Sequence, residues 1–169
     1  MEKEAAVAEL DAARAEWERA FEQVPDGALG YLKPGDDYAL GGLQVHVNWV
    51  LAHYRRVLDG IVRNGFTRLE PQDPAGAEQQ AMAAARLGLE AGGRKPALEE
   101  MAKLHQAVRS SAERLKKADW DRKAPVVYGA GQEPFPTSPE DILGWLTDHY
   151  REHVSQCGDL IAEWGDSAR

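Results

Sequence analysis

The sequence predicts an all-α fold: an antiparallel four-helix bundle with a long crossover between helices 2 and 3 containing an extra short helix. Three observations lead there. Four long segments carry apolar residues at intervals of three and four with charged residues between them. Stretches rich in glycine and proline separate these segments. One long connection, between the second and third, lets the chain cross the bundle, the remaining geometry following from helix-on-helix packing. Residues 1–169 are expected to form a single domain, since a chain of this length buries a sizeable core.

The first helix is expected from about Glu2 to Gln23, with Val7, Leu10, Ala13, Trp17, Ala20, Phe21 and Val24 on its apolar stripe. It stops at Val24-Pro25-Asp26-Gly27, and the turn formers Gly30, Pro34, Gly35, Asp36 and Asp37 mark a loop. The second runs from about Ala39 to Arg63, where Asn64-Gly65 supplies a C-terminal stop. Its stripe is Leu43, Val47, Val50, Tyr54, Val57 and Ile61, with His46 and His53 beside it. Gly41-Gly42 sit oddly in its first turns, because each costs about 1 kcal/mol relative to Ala in a helix interior. Between Ala75 and Ala91 an alanine-rich stretch forms the short helix, ended by Gly92-Gly93.

The third long helix spans about Pro96 to Ala118, with Pro96 in the first turn and Leu98, Met101, Leu104, Val108, Ala112 and Leu115 as its stripe. The connection Asp119 to Thr137, with three prolines and the strand-like Val126-Val127, reads as extended and irregular. Ser138-Pro139-Glu140-Asp141 then supplies an N-cap, a first-turn proline and two acids near the positive end of a helix dipole. The last helix, to about Trp164, carries Ile142, Leu146, His149, His153, Cys157, Leu160 and Trp164 at offsets of four, three, four, four, three and four.

Composition excludes several functions. Twenty Lys+Arg face 28 Asp+Glu, a net charge of -8 with no basic tract, which argues against nucleic acid or an anionic membrane surface as partner. No apolar run approaches the roughly 20 residues of a membrane helix. The N-terminus opens acidic rather than as a secretory signal, and the expected location is the cytoplasm. The lone Cys157 cannot form an internal disulfide. There is no glycine-rich phosphate loop. Five histidines remain to carry chemistry.

His149 and His153 occupy two consecutive positions of a stripe otherwise given to apolar residues, so they face the core or a cavity in it. At i and i+4 their Cβ atoms lie about 6 Å apart, and both imidazoles can converge on one ion. Two buried imidazoles without partners would each cost about 1–3 kcal/mol, which favours a ligand over chance spacing. A catalytic metal wants a third protein ligand and an open position. His46 and His53, seven residues apart and so on nearly the same face, are both candidates. His105 falls one residue beyond the Leu104 position and reads as a boundary histidine outside the site. Asp148 and Glu152 point about 100° away from their histidine neighbours and read as outer-sphere or surface charges. Trp49, Tyr54 and Tyr150 are candidates to line a pocket or to fill core. Cys157, one turn beyond His153, reads as a buried structural cysteine, with a fourth ligand or an attacking thiol as the alternative.

Two motifs carry a resemblance. Tyr38-Ala39-Leu40-Gly41-Gly42-Leu43-Gln44-Val45-His46-Val47 resembles the second-helix entry of the DinB-like (damage-inducible protein) four-helix-bundle superfamily, and Asp148-His149-Tyr150-Arg151-Glu152-His153-Val154-Ser155-Gln156 is similar to its last-helix motif. The order, one histidine early and the pair late, agrees as well. The resemblance implies a divalent metal, zinc or nickel, held by His46, His149 and His153. It also implies a small-molecule substrate and, as a partner, a low-molecular-weight thiol such as bacillithiol or mycothiol. The superfamily includes thiol-dependent transferases and isomerases alongside proteins assigned as metal-dependent hydrolases. Its name reflects induction by DNA damage, not DNA binding. Gly41-Gly42 depart from the polar helix formers expected there, and His53 competes for the place of His46.

The chemistry of such a site is independent of the family. A divalent ion among three neutral imidazoles keeps its full charge and can activate either water or a thiol as nucleophile. The expected function is therefore a metal-dependent thiol transferase or hydrolase acting on a small electrophile. The alternatives are a non-catalytic bundle that binds metal or a small ligand, and a dimerisation module with histidines hydrogen-bonded in the core, a homodimer being compatible with the bundle.

Overall fold

The computed structural model describes residues 1–167. Five α-helices carry the fold: α1 (Lys3–Glu22), α2 (Gly42–Arg63), α3 (Ala77–Leu87), α4 (Arg94–Glu113) and α5 (Pro139–Ser167). Strands β1 (Ala124–Val126) and β2 (Phe135–Thr137) pair antiparallel, with Ala124 opposite Thr137. α1 packs along α5 and against α4, while α2 packs against α3, α4 and α5. Trp17, Phe21, Leu43, Leu51, Met101, Ile142 and Tyr150 fill the space between them with almost no exposure. None of the helices is long and apolar enough to cross a membrane.

Helix phase follows the predicted stripes closely in α1, α2 and α5. Leu10, Ala13, Trp17 and Phe21 are buried from α1, and Ile142, Leu146, His153, Cys157 and Leu160 from α5. In α4 the stripe is rotated: His105 is buried at 2% exposure while Leu104 and Leu98 are only partly covered. The rotation has a cause. His105 Nε2 lies 2.8 Å from Asp11 Oδ1 and Nδ1 lies 3.2 Å from the Tyr150 hydroxyl. Burial holds the imidazole below its ordinary pKa despite Asp11. The neutral ring therefore donates from Nε2 to the carboxylate and accepts from Tyr150, tying α1, α4 and α5 together.

A second buried polar chain ties α1, α2 and α4. Trp17 Nε1 donates to Gln44 Oε1 (2.8 Å), Gln44 Nε2 to Asn48 Oδ1 (2.9 Å), and Asn48 Nδ2 to the Ala97 carbonyl (2.9 Å). Gln44 is fully buried, and full satisfaction is what makes a buried amide tolerable.

Helix α2 begins at Gly42, not Ala39. The preceding residues form a turn and are bonded elsewhere: the N–H groups of Ala39, Leu40 and Gly41 donate to the carbonyls of Ala85, Tyr31 and Leu29. Here the two odd glycines find their reason, which is close approach. A Cβ on Gly42 would stand 1.6 Å from the Ala85 carbonyl oxygen, and one on Gly41 2.5 Å from that of Leu29. The backbone of α3 thus rests directly on the entry to α2. At the other end Asn64 closes the helix, and Gly65 and Phe66 take positive φ.

Two other boundaries differ from expectation. α4 starts two residues before Pro96 and ends at Glu113 rather than Ala118, where the Lys3 ammonium donates to the carbonyls of Glu113 and Leu115. The connection after α4 is more ordered than its prolines suggest. Pro125 and Pro136 face each other across the short hairpin, and Leu69 bridges to its outer side through bonds to Pro125 and Val127.

The start of α5 is a reciprocal cap. The Asp141 N–H donates to Ser138 Oγ (3.2 Å), while Asp141 Oδ2 accepts from the Ser138 N–H (2.7 Å) and hydroxyl (2.8 Å) and from Lys123. Partial burial pushes the Asp141 carboxyl up, but Lys123 and the two Ser138 donors outweigh it and hold the pKa below its ordinary 3.8.

Three substitutions test these contacts. Gly42→Ala should cost at least about 2 kcal/mol in denaturant unfolding through overpacking. Gly144→Ala, in α5 with open space around it, should instead stabilise by about 0.5–1 kcal/mol. Asp141→Asn should cost about 1 kcal/mol at pH 7. Because the folded pKa is depressed, the wild-type advantage is present above pH 3.8 and fades as the carboxylate protonates below it. Equal stability of the two proteins at pH 7 would contradict the cap.

Candidate metal centre

His46 comes from the second turn of α2, and His149 and His153 from adjacent turns of α5. The packing of α2 on α5 brings the rings together. Centroid separations are 4.9 Å for His46 and His149, 5.2 Å for His46 and His153, and 4.4 Å for His149 and His153. One ring nitrogen of each lies within 4.8 Å of the others.

The rings are held before any ligand arrives. Tyr38 stacks on His46 at 4.4 Å and 20°, and the Trp17 ring meets His153 edge-on at 6.1 Å. His153 Nδ1 is 2.8 Å from Gln156 Oε1. With the amide oxygen accepting, Nδ1 carries the proton and Nε2 keeps its lone pair, the tautomer a metal ligand needs.

Electrostatics agrees with that role. Burial pushes His46 down to about 4, helped by His153, and His149 down to about 3, helped by His153 and His46. Burial also lowers His153, against the opposing pull of Gln156 and Glu152. All three imidazoles are therefore neutral at pH 7, and no proton need leave before a cation binds.

The donor set fits a divalent metal on one structural observation above all. Nε2 of His149 and Nε2 of His153 are buried and have no hydrogen-bond partner among the described residues. Each such atom costs about 1–3 kcal/mol unless something satisfies it, and both belong to the same converging group.

The other histidines lie elsewhere. His53 shares the face of His46 but sits two turns along, about 10 Å of helix rise, with the Trp49 ring between them. Its Nδ1 is 2.8 Å from Asp73 Oδ2, and Arg56 holds the other oxygen of that carboxylate. His105 is committed to Asp11 and Tyr150. Cys157 is fully buried, its thiol directed at the Ala20 carbonyl 3.8 Å away and pushed up by burial to about 11, so it is neither a nucleophile nor a member of the triad.

Two cavities flank the triad. One, of about 260 Å³, is lined by Val50, Tyr54, Trp145, Asp148, His149 and Glu152; the other, of about 150 Å³, includes Tyr38, His46, Trp49 and Glu78. Trp49 and Tyr54 are thus wall residues, whereas Tyr150 belongs to the core. Sequence reading missed Trp145, although its place one turn before His149 on the same helix was a signal. A larger cleft of about 610 Å³, lined by Arg55, Arg56, Asp59 and Glu70 among others, contains none of the histidines.

Comparisons with known proteins bear on this arrangement. The sequence profile of the DinB superfamily matches residues 10–157. No curated protein matches the chain. Among solved structures, the chain is similar to a mycothiol-dependent maleylpyruvate isomerase, with a TM-score of 0.70 and 14% identity over 94% of this chain and 61% of that one. A histidine-to-alanine mutant of that enzyme matches at 0.70 and 13%. A conserved protein from Enterococcus faecalis gives 0.60 and 13%, with 94% of both chains covered. The chain spans about three fifths of the isomerase, and at these identities the likeness is one of fold. The family match covers most of the sequence, however, and the chain belongs to the DinB superfamily.

Proposed function

We propose that His46, His149 and His153 hold one divalent metal ion, zinc or nickel, and that the protein is a cytoplasmic enzyme using a small thiol or water against a small electrophilic substrate. Residues 1–169 act in this reading as one domain, an antiparallel four-helix bundle of α1, α2, α4 and α5 with α3 as the extra helix in the crossover. The observation that carries it is the convergence of three neutral imidazoles, two of them with buried, unpartnered Nε2 atoms. The choice of a thiol is supported by the name of the similar isomerase, which is mycothiol-dependent.

When bound, the ion would lower the pKa of a thiol or a water and so supply a nucleophile near neutral pH. The chain's own residues do the rest. Gln156 fixes the His153 tautomer, Tyr38 and Trp17 hold the rings in place, and the three-histidine set leaves the ion's double charge uncompensated. Tyr54, Trp145 and Val50 form an apolar wall beside His149 that shields the reacting atoms from water and strengthens local electrostatics. A non-catalytic ligand-binding role uses the same triad and is separated from catalysis by turnover alone.

Metal titration of tag-free protein should give one zinc or nickel ion per chain, and the His149→Ala/His153→Ala double variant should lose it. Retention of stoichiometric metal by that variant would remove the site. His46→Ala should weaken metal affinity by about 100-fold or more, as expected for loss of a direct ligand, while His53→Ala should change it by less than about threefold. The reverse ranking would make His53 the third ligand. For activity, the metal-loaded protein should consume thiol when given a panel of electrophiles such as 1-chloro-2,4-dinitrobenzene, or hydrolyse activated esters. Chelation with EDTA should abolish either reaction, and absence of metal-dependent turnover across the panel would favour the binding role.

A further inference from the structure

The cavity of about 260 Å³ beside the triad is lined by two unlike kinds of side chain, aromatic and acidic. His149 belongs to both the triad and the cavity lining, so the cavity abuts the triad. The aromatic part is Tyr54 and Trp145, ring centroids 5.7 Å apart, with Tyr128 packed against both at 6.4 Å. On the same face of α5 as Trp145 stand Asp148 and Glu152, three and seven residues further along and so neighbours on its surface. Both are exposed, and neither has an ion pair or hydrogen bond among the described residues. The nearest cation in sequence, Arg151, is occupied by Glu9 and Glu16.

The charges along this cavity change sign. Three neutral imidazoles leave a bound divalent ion at +2 at the inner end, and the two carboxylates place about -2 at the mouth. A ligand that complements both ends has an anionic atom inward and a cation outward. Aromatic faces next to the carboxylates add a second reason for a cation there. An anionic group at the outer end would meet like charge, which disfavours it several-fold or more in a partly exposed site.

We propose that the site takes a small thiol bearing an ammonium group, with sulfur directed at the triad and the ammonium held between Asp148, Glu152 and the faces of Tyr54 and Trp145. This rests on the reading of the triad as a metal centre that binds thiols. It makes Asp148 and Glu152 specificity residues, which sequence phase alone assigns to surface or outer-sphere charge.

The test uses cobalt(II)-loaded protein at low ionic strength, titrated with cysteamine, 2-mercaptoethanol and 3-mercaptopropionate and followed by the thiolate-to-cobalt absorption band. Compared at equal thiolate concentration, cysteamine should bind about tenfold more tightly than 3-mercaptopropionate, with 2-mercaptoethanol between them. In the Asp148→Asn/Glu152→Gln variant, and in the wild type at about 0.5 M salt, the spread should shrink to within about twofold. Equal binding of the three thiols, tighter binding of 3-mercaptopropionate, or a preference for cysteamine that survives the double substitution would overturn the inference while leaving the metal and thiol reading intact. Absence of the band with all three thiols, on protein that has bound cobalt, would overturn the thiol reading itself and this inference with it.

Discussion

Two imidazole nitrogens, Nε2 of His149 and Nε2 of His153, are shut away from water without a partner in the described chain, and much of the molecule is arranged so that they stay that way. An acceptor desolvated in this manner costs free energy of the same order as a whole hydrogen bond. The chain tolerates two, side by side, and turns a third ring toward them from another helix. Desolvation also keeps all three rings neutral. The same burial that makes the apo site unfavourable therefore prepares it for a cation, since no proton competes at neutral pH.

Holding this geometry requires that α2 and α5 cannot slide past one another. The Trp17, Gln44 and Asn48 chain locks α2 to α1 and α4 within one turn of His46. The direct backbone contact at Gly42 locks the same turn to α3. On α5, the Ser138 and Asp141 cap sets where the helix begins, and the Tyr150 hydroxyl bond to His105 anchors the residue next to His149 to α4. Each device is buried or close-packed, so small displacements are costly. The site is consequently built on rigid helices and not on loops, which suits converging ligands that must hold position.

Electrostatics works on two scales. The net charge of -8 disfavours polyanionic partners at long range. Locally, the cavity lining carries the Asp148 and Glu152 carboxylates on the same helix as His149 and His153, an acidic pattern set by α5. Long-range charge is screened by salt, whereas this local pattern acts on whatever occupies the cavity. In the proposed site, selectivity among small ligands rests on a few residues around His149 more than on the overall acidity.

By itself the sequence determined the directions in which side chains leave each helix. The stripes of α1, α2 and α5, the stop at Asn64-Gly65, the cap at Ser138 and the inward pair His149 and His153 are all legible from spacing, because each depends on contacts within a turn or two of chain. Tertiary structure decided what spacing cannot carry. Position around a helix is periodic, but position along it relative to a neighbour is not, so His46 and His53 looked alike until α5 met one of them and Trp49 separated the other. His105 was misplaced because its partners, Asp11 and Tyr150, lie 94 and 45 residues away. The glycines at 41 and 42 were anomalous in a single helix and became necessary once the backbone of α3 lay against them. The hairpin after α4 escaped notice because the pairing of two short proline-bearing strands is a property of their contact, not of either strand. Local physics sets the elements and their faces; which faces meet, and at what height, is set by the packing of the whole chain.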